Sequence, residues 1–260
     1  MLPVLFNIGQ FPVHTYGVLI AIGFLLAVWV VRSEAKRIGW PTELIVDFCF
    51  LALLIGFIGA RIVFIFTRIG DFMADPKSMF YVWEGGLVFY GGPLLVAPWT
   101  IWFTKRHKLS FFKLGDISVQ GLVLAHAFGR LGCIAAGCCF GKPTGMDWGF
   151  QFYSELVPSE LQGVPLHPTQ LYESLALFAL FFYLRLRRKK VRFAGQLTLE
   201  YFLVYPIIRS IVEIFRGDVV RGFVIDDLIS TSQFISIIVF LVATITYVVL
   251  RNKATTQAHD

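Results

Sequence analysis

Charge is what this sequence most lacks. Only 15% of its 260 residues are Asp, Glu, Lys or Arg, where a soluble domain carries about 25%. A surface so poor in charge does not hold a chain of this size in water, which excludes a soluble enzyme. A disordered tail protein is excluded by the 57% of hydrophobic residues. Cysteine is scarce too, and four in 260 residues cannot staple a disulfide-built secreted domain. The opening stretch MLPVLFNIGQFPVHTYG has no basic n-region, so it does not read as a cleavable signal peptide, and the first apolar stretch is expected to stay as a helix. No internal repeat is visible, which argues against an inverted-repeat transporter.

What the chain has instead is 27 phenylalanines, long apolar runs and a mean hydropathy of +0.71. These predict an all-α polytopic membrane protein forming one integral membrane domain over residues 1–260. A spanning helix needs about 20 mostly apolar residues, and seven segments qualify, at roughly 14–31, 44–67, 86–104, 116–139, 169–186, 196–215 and 229–250. Their connections alternate in charge. Fifteen basic residues fall on one side, among them Arg32, Lys36, Lys105, Lys113, Arg185 to Lys190, Arg251 and Lys253. Five fall on the other, namely Arg68, Lys77, Lys142, Arg216 and Arg221. The positive-inside rule then puts the N-terminus outside and the C-terminus in the cytoplasm. It also accounts for the net charge of +6 without a nucleic-acid partner. The segment 141–168, with four prolines and several aromatics, is expected to form a small external lid or head, and 68–85 is similar. The polar tail NKATTQAHD is expected to fray.

Three arginines fall inside spans: Arg61, Arg130 and Arg209. An arginine in hydrocarbon costs from about 2.5 to over 10 kcal/mol, so each needs a reason. One is structural, by snorkelling or pairing with a buried carboxylate. The other is an anion site, because a guanidinium fork matches phosphate oxygens and stays charged; in a bilayer the abundant anion is a phospholipid head group. Tyr205, Arg209 and Glu213 share one helix face at i, i+4, i+8, with Pro206 able to open space beside Tyr205, although Arg209 and Glu213 can also simply neutralise each other. His126 and Arg130 are again i, i+4. The glycines of AHAFGRLGCIAAGCCFG, including Gly129 and Gly132, read first as helix-packing sites. Around Tyr90, GGLVFYGGP is a poor helix former and suits a broken segment beside a cavity.

These pieces together resemble the prolipoprotein diacylglyceryl transferase family. The likeness runs from about residue 10 to 250 through HTYG (14–17), GARI (59–62), WEGGLVFYGG (83–92), GRLGCIAAGCCFG (129–141), HPTQLYES (167–174), YPIIRSIVEIFR (205–216) and SQ (232–233). The resemblance implies a bacterial inner-membrane enzyme that moves diacylglyceryl from phosphatidylglycerol to the lipobox cysteine of prolipoproteins, with no cofactor or metal. By position, Tyr16, Arg130 and Arg209 match the family's essential tyrosine and arginines, with Tyr205 beside Arg209. Arg130, Arg209, Glu213, Gly141 and His14 are expected at the phosphatidylglycerol head group. Tyr90 stands where many members carry a proposed catalytic histidine, and Cys133 and Cys138 replace the signature's asparagine and glutamate.

The implied reaction alkylates a substrate thiol, only a few per cent ionised at pH 7, at a carbon whose leaving group is a phosphodiester oxygen. Arg130 and Arg209 suit stabilisation of the departing glycerol phosphate. Tyr90 ranks first as base by position, with His126 and His14 as alternatives. Cys133, Cys138 and Cys139 read, in descending order, as packing or free thiols, a disulfide, a metal cluster or catalytic groups. His167 to Thr169, with Tyr172 and Glu173, reads as a helix start that anchors the lid. Two other classes stay in view: an anion or lipid transporter, and a membrane thiol–disulfide protein built on those cysteines.

Overall fold

The computed structural model describes residues 3–9, 11–81, 85–154, 156–217, 223–225 and 229–256. Trp83 and Glu84 of the WEGG motif, Glu155 of the 141–168 segment, Arg221 and the last four residues of the tail lie outside the described residues.

The chain is mostly helical. Among the described residues, seven helices have 16 residues or more: α1 (Thr15–Arg37), α2 (Thr42–Thr67), α4 (Gly91–Arg106), α5 (Phe111–Ala136), α6 (Thr169–Arg187), α7 (Gln196–Phe215) and α8 (Thr231–Thr256). A short α3 (Ile69–Ala74) and a 3-10 turn (Pro76–Phe80) follow α2. Each expected span overlaps one long helix. By length and apolarity alone, α1, α2, α5 and α8 are able to cross a membrane. Helix α4 has 16 residues, and α6 and α7 carry polar residues that dilute their hydropathy. The helix faces match a bilayer setting, with Trp29, Phe66 and Ile245 all more than 60% exposed, an arrangement that would aggregate in water.

Four expectations need correction. Before α1, residues fold as a hairpin, β1 (Val4–Ile8) paired antiparallel with β2 (Phe11–His14). The span expected from 86 becomes helical only at Gly91, because Gly85 and Gly86 adopt φ of +89° and +80°, which a helix cannot contain. The span expected to reach 139 stops at Ala136. There Gly137 turns left-handed at φ +72°, its N–H bonds Ile134 O, and Cys138 N–H folds back to Cys133 O, the Schellman arrangement that satisfies terminal carbonyls. Ser154 Oγ donates to Ala136 O as well. Lastly, the tail does not fray at once, since α8 continues to Thr256.

The chain divides into two compact units, residues 31–114 and residues 1–30 with 115–260. In the first, α2 and α4 pack through glycines: a Cβ on Gly59 would collide with the Gly91 carbonyl, and one on Gly91 with that of Gly59. Arg61 is buried there. Its guanidinium donates to Ser78 O (2.9 Å), Met79 O (3.1 Å), Tyr81 O (3.4 Å), Gly85 O (2.7 Å) and Gly86 O (3.0 Å), and it lies over the Phe64 and Phe72 rings. Five bonds occupy all five donors of the fork. Arg61 thus ties Ser78, Met79 and Tyr81 to Gly85 and Gly86, and the structural reading of this arginine holds over the anion-site one.

In the second unit, α5, α6 and α7 enclose a core of Val119, Val123, Ala127, Leu177, Leu180, Leu184, Leu197 and Tyr201, with Val30 of α1. Helix α6 runs antiparallel to its two neighbours. At its C-terminal end the three are tied by polar contacts. Asp116 accepts from Gly195 N–H (2.7 Å) and Thr198 N–H (3.0 Å), capping α7 from α5. Arg185 donates to Gln120 (3.2 Å), and Arg187 pairs with Glu200 (3.0 Å). The 141–168 segment has its own small core of Phe140, Phe152, Val157 and Leu166, with β3 (Phe150–Gln151) paired to β4 (Pro165–Leu166). Helix α8 opens with a reciprocal capping box, Gln233 N–H to Ser230 Oγ and Ser230 N–H to Gln233 Oε1, both at 3.1 Å. That gives the SQ motif a local structural reason.

Candidate active site

The second unit gathers its polar groups around one carboxylate. Glu173, in the second turn of α6, is fully buried. Its Oε1 accepts from Arg130 Nη2 of α5 at 3.0 Å and from the Tyr205 hydroxyl of α7 at 3.1 Å, with His126 Nε2 at 3.7 Å. The helix periodicity explains the convergence. His126 and Arg130 lie one turn apart on α5 and face α6, while Tyr205 stands on the α7 face that also carries Arg209 and Glu213. The His126 and Tyr205 rings meet edge to face at 5.1 Å, and Tyr205 stacks on Tyr201 at 5.4 Å.

A second pair lies one turn along α7, where Arg209 Nη2 bonds Glu213 Oε2 at 2.6 Å. The site is therefore not a bare cluster of positive charge, because each arginine has its own carboxylate. Two buried atoms are left over: Glu173 Oε2 and Arg209 Nη1 have no hydrogen-bond partner among the described residues. Leaving such groups unmade costs about 1–3 kcal/mol each, more when charged. One is an acceptor suited to a hydroxyl and the other a cationic donor suited to an anionic oxygen.

The other expected residues are distributed as follows. Tyr16, in the first turn of α1, meets α5 at Gly132, its Cδ2 2.9 Å from where a Gly132 Cβ would stand; the glycine makes room for the ring. His14 ends β2 opposite Val4 and is exposed. Gly141 is a close-approach glycine, bridged to Arg216 and donating its N–H to His167 O at 2.9 Å. Tyr90 belongs to the 31–114 unit, where it precedes α4 and is exposed. Tyr172, beside Glu173, takes a different neighbourhood, contacting Trp148 Nε1 (3.0 Å) and His167 Nδ1 (3.2 Å); this part of the helix-start reading matches an anchoring role.

In the sequence Glu173 reads as part of a helix start that anchors the lid, and is not placed beside the arginines. It is the sole acidic residue within 169–186. The cost of a charge in hydrocarbon, applied to the three arginines, applies equally to it.

The family described as prolipoprotein diacylglyceryl transferase matches residues 3–249. The chain is 34% identical over 243 residues to the phosphatidylglycerol–prolipoprotein diacylglyceryl transferase of Clostridium tetani, covering 93% of this chain and 95% of that one. It is 33% identical over 251 residues to phosphatidylglycerol–prolipoprotein diacylglyceryl transferase 2 of Clostridium perfringens, covering 96% of each. With the Photobacterium profundum protein of the same name it shares 32% over 238 residues, 90% of this chain and 87% of the other.

Proposed function

Since the chain belongs to the prolipoprotein diacylglyceryl transferase family, we propose that it transfers diacylglyceryl from phosphatidylglycerol to the lipobox cysteine of prolipoproteins. The observation that carries this reading to the site is the pair of unpartnered buried atoms, Arg209 Nη1 and Glu173 Oε2. A phosphatidylglycerol head group supplies what each lacks: a phosphate oxygen for the guanidinium and a glycerol hydroxyl for the carboxylate.

In the reaction the substrate thiol attacks the glyceryl carbon. An S–C bond forms, the C–O bond to phosphate breaks, glycerol phosphate leaves with the bond's electron pair, and the base takes the thiol proton. Arg130 and Arg209 stabilise the charge on the departing phosphate, a term worth about 3–4 kcal/mol per well-aimed donor in a water-poor site. Glu173 and Glu213 hold the two guanidinium groups in orientation. Tyr205 shares Glu173 with Arg130, and His126 Nε2 lies 3.7 Å from the same carboxylate oxygen. Tyr16, Gly141 and His14 complete the head-group surroundings by family position. Tyr90 holds the family's base position, with His126 as the alternative base.

The topology that goes with this reading has seven spans, the N-terminus outside and the C-terminus in the cytoplasm of a bacterial inner membrane. Its supports are the fifteen-to-five basic asymmetry of the connections and the seven long helices. The 141–168 head then faces the outside, where prolipoprotein signal peptides present their cysteine.

The test is mass spectrometry of a lipobox peptide incubated with the purified protein and phosphatidylglycerol. A diacylglyceryl mass shift at the peptide cysteine, absent with Arg209→Ala, is expected. No shift from well-folded protein would defeat the reading.

A further inference from the structure

Three cysteines take no part in the chemistry above, yet the fold brings them together. The Sγ atoms of Cys133, Cys138 and Cys139 all lie within 4.8 Å of one another. All three are free thiols and only partly buried. A tetrahedral cation with metal–sulfur bonds of about 2.3 Å holds its thiolates roughly 3.8 Å apart, so small side-chain rotations complete such a shell.

The cluster is also braced. The Schellman turn folds Cys138 back over Cys133, and Cys138 Sγ lies 3.8 Å from Cys133 O. Cys139 holds φ at +65°, a conformation uncommon outside glycine. Two buried side chains from the first turn of α6 then fix the carbonyls that follow: Thr169 Oγ1 donates to Cys139 O at 2.7 Å, and Gln170 Nε2 to Cys138 O at 2.6 Å. Thiols serving only as small apolar fillers need no convergence and no such bracing.

We propose that Cys133, Cys138 and Cys139 ligate a thiophilic divalent cation of the zinc type, whose fourth position takes the acceptor thiol; the second half rests on the transferase reading. Three protein ligands with an open position are the pattern of a catalytic zinc site, and soft thiolates select such cations. A thiol that coordinates the cation loses its proton, here to the same base. The metal-bound sulfur attacks the glyceryl carbon, the S–C bond forms, and the C–O electron pair leaves on glycerol phosphate. The neutral thioether is a poor ligand and departs. No oxidant or reductant enters. Arg130 stands one turn before Cys133 on α5, which sets the donor's phosphate beside the thiolate.

The test uses the full-length protein purified in detergent under reducing, anaerobic conditions and titrated with Co2+. Binding of a single Co2+ is expected, with intense thiolate-to-cobalt charge transfer and tetrahedral d–d bands, reversed by Zn2+. Cys133→Ser and Cys138→Ser should abolish that absorption without altering thermal unfolding of the unloaded protein, and Thr169→Val should weaken binding by about tenfold. A lipobox peptide should shift the d–d bands, and its Cys→Ser version should not. Absence of charge transfer, its persistence in the triple Cys→Ser variant, or a disulfide between two of these cysteines in protein taken directly from membranes would overturn the site. Bands unmoved by the peptide would overturn its role in activating the thiol. Peptide coordinated to cobalt in the Co2+ protein, with no transfer by the Zn2+-loaded enzyme, would instead count against the transferase reading.

Discussion

Arg130 of α5 and Glu173 of α6 meet at 3.0 Å with the carboxylate fully buried, and the same oxygen also accepts from Tyr205 of α7. One atom thus joins three helices, and the orientation of the guanidinium depends on it. Removing one partner of a buried pair is costed at about 3–5 kcal/mol. Glu173→Gln is expected to lower kcat/KM for peptide lipidation by roughly 100-fold. Arg130→Ala added to it should cost little more, because the two act as a unit. Initial rates of the two single variants and the double variant measure this, and full additivity would break the link.

Arg209 uses Nη2 for Glu213, and its Nη1 has no partner among the described residues; in the proposed function that nitrogen meets the phosphate. Arg209→Lys retains the charge but loses the fork. Its expected effect is a loss of roughly 100-fold in transfer rate with thermal stability nearly unchanged, read from parallel rate and unfolding measurements. A lysine variant with wild-type rates would remove Arg209 from the phosphate.

Arg61 should behave in the opposite way. Arg61→Ala strips five carbonyls of their donor, and each unpaired buried group costs about 1–3 kcal/mol. A drop of many degrees in the unfolding temperature is expected, or failure to accumulate in membranes. Any fully folded Arg61→Ala protein should still bind phosphatidylglycerol. Loss of lipid binding at unchanged stability would return Arg61 to the anion site.

The glycines separate by what surrounds them. A Cβ at Gly129 meets nothing within 4 Å, whereas at Gly91 it strikes the backbone of α2. Gly129→Ala should be neutral or stabilising by up to about 1 kcal/mol, and Gly91→Ala should be strongly destabilising. Thermal unfolding of the two variants decides it. Gly132→Ala belongs between them, displacing the Tyr16 ring and lowering activity before stability.

The helices were the most legible part of the sequence, and the reasons are local. Pro168 at the start of α6 and Gly195 before α7 punctuate those helices sharply, and their boundaries agree closely with the expected 169–186 and 196–215. Where glycine does the work through positive φ, at Gly85, Gly86 and Gly137, apolarity alone overran the true ends. In the site, the i, i+4 faces carrying His126 with Arg130 and Tyr205 with Arg209 were readable from spacing. The partner of Arg130 was not, because it comes from another helix whose register no spacing rule supplies. The Cys133 to Cys139 convergence was hidden for the same reason: it depends on a left-handed turn and on two α6 side chains distant in sequence.

The polar ties near Asp116, Gln120 and Glu200 lie at one end of α5, α6 and α7, and the Glu173 network lies well toward the other. A lipid entering between these helices meets a structure clamped like tongs at the handle. The far ends carry their own ties, the Arg130–Glu173–Tyr205 contacts and the bonds from Thr169 and Gln170 to the cysteine turn, and any parting of the helices there has to break them. Loosening the handle, for instance with Asp116→Ala, should therefore alter how readily the tips part without touching a single group that meets the substrate.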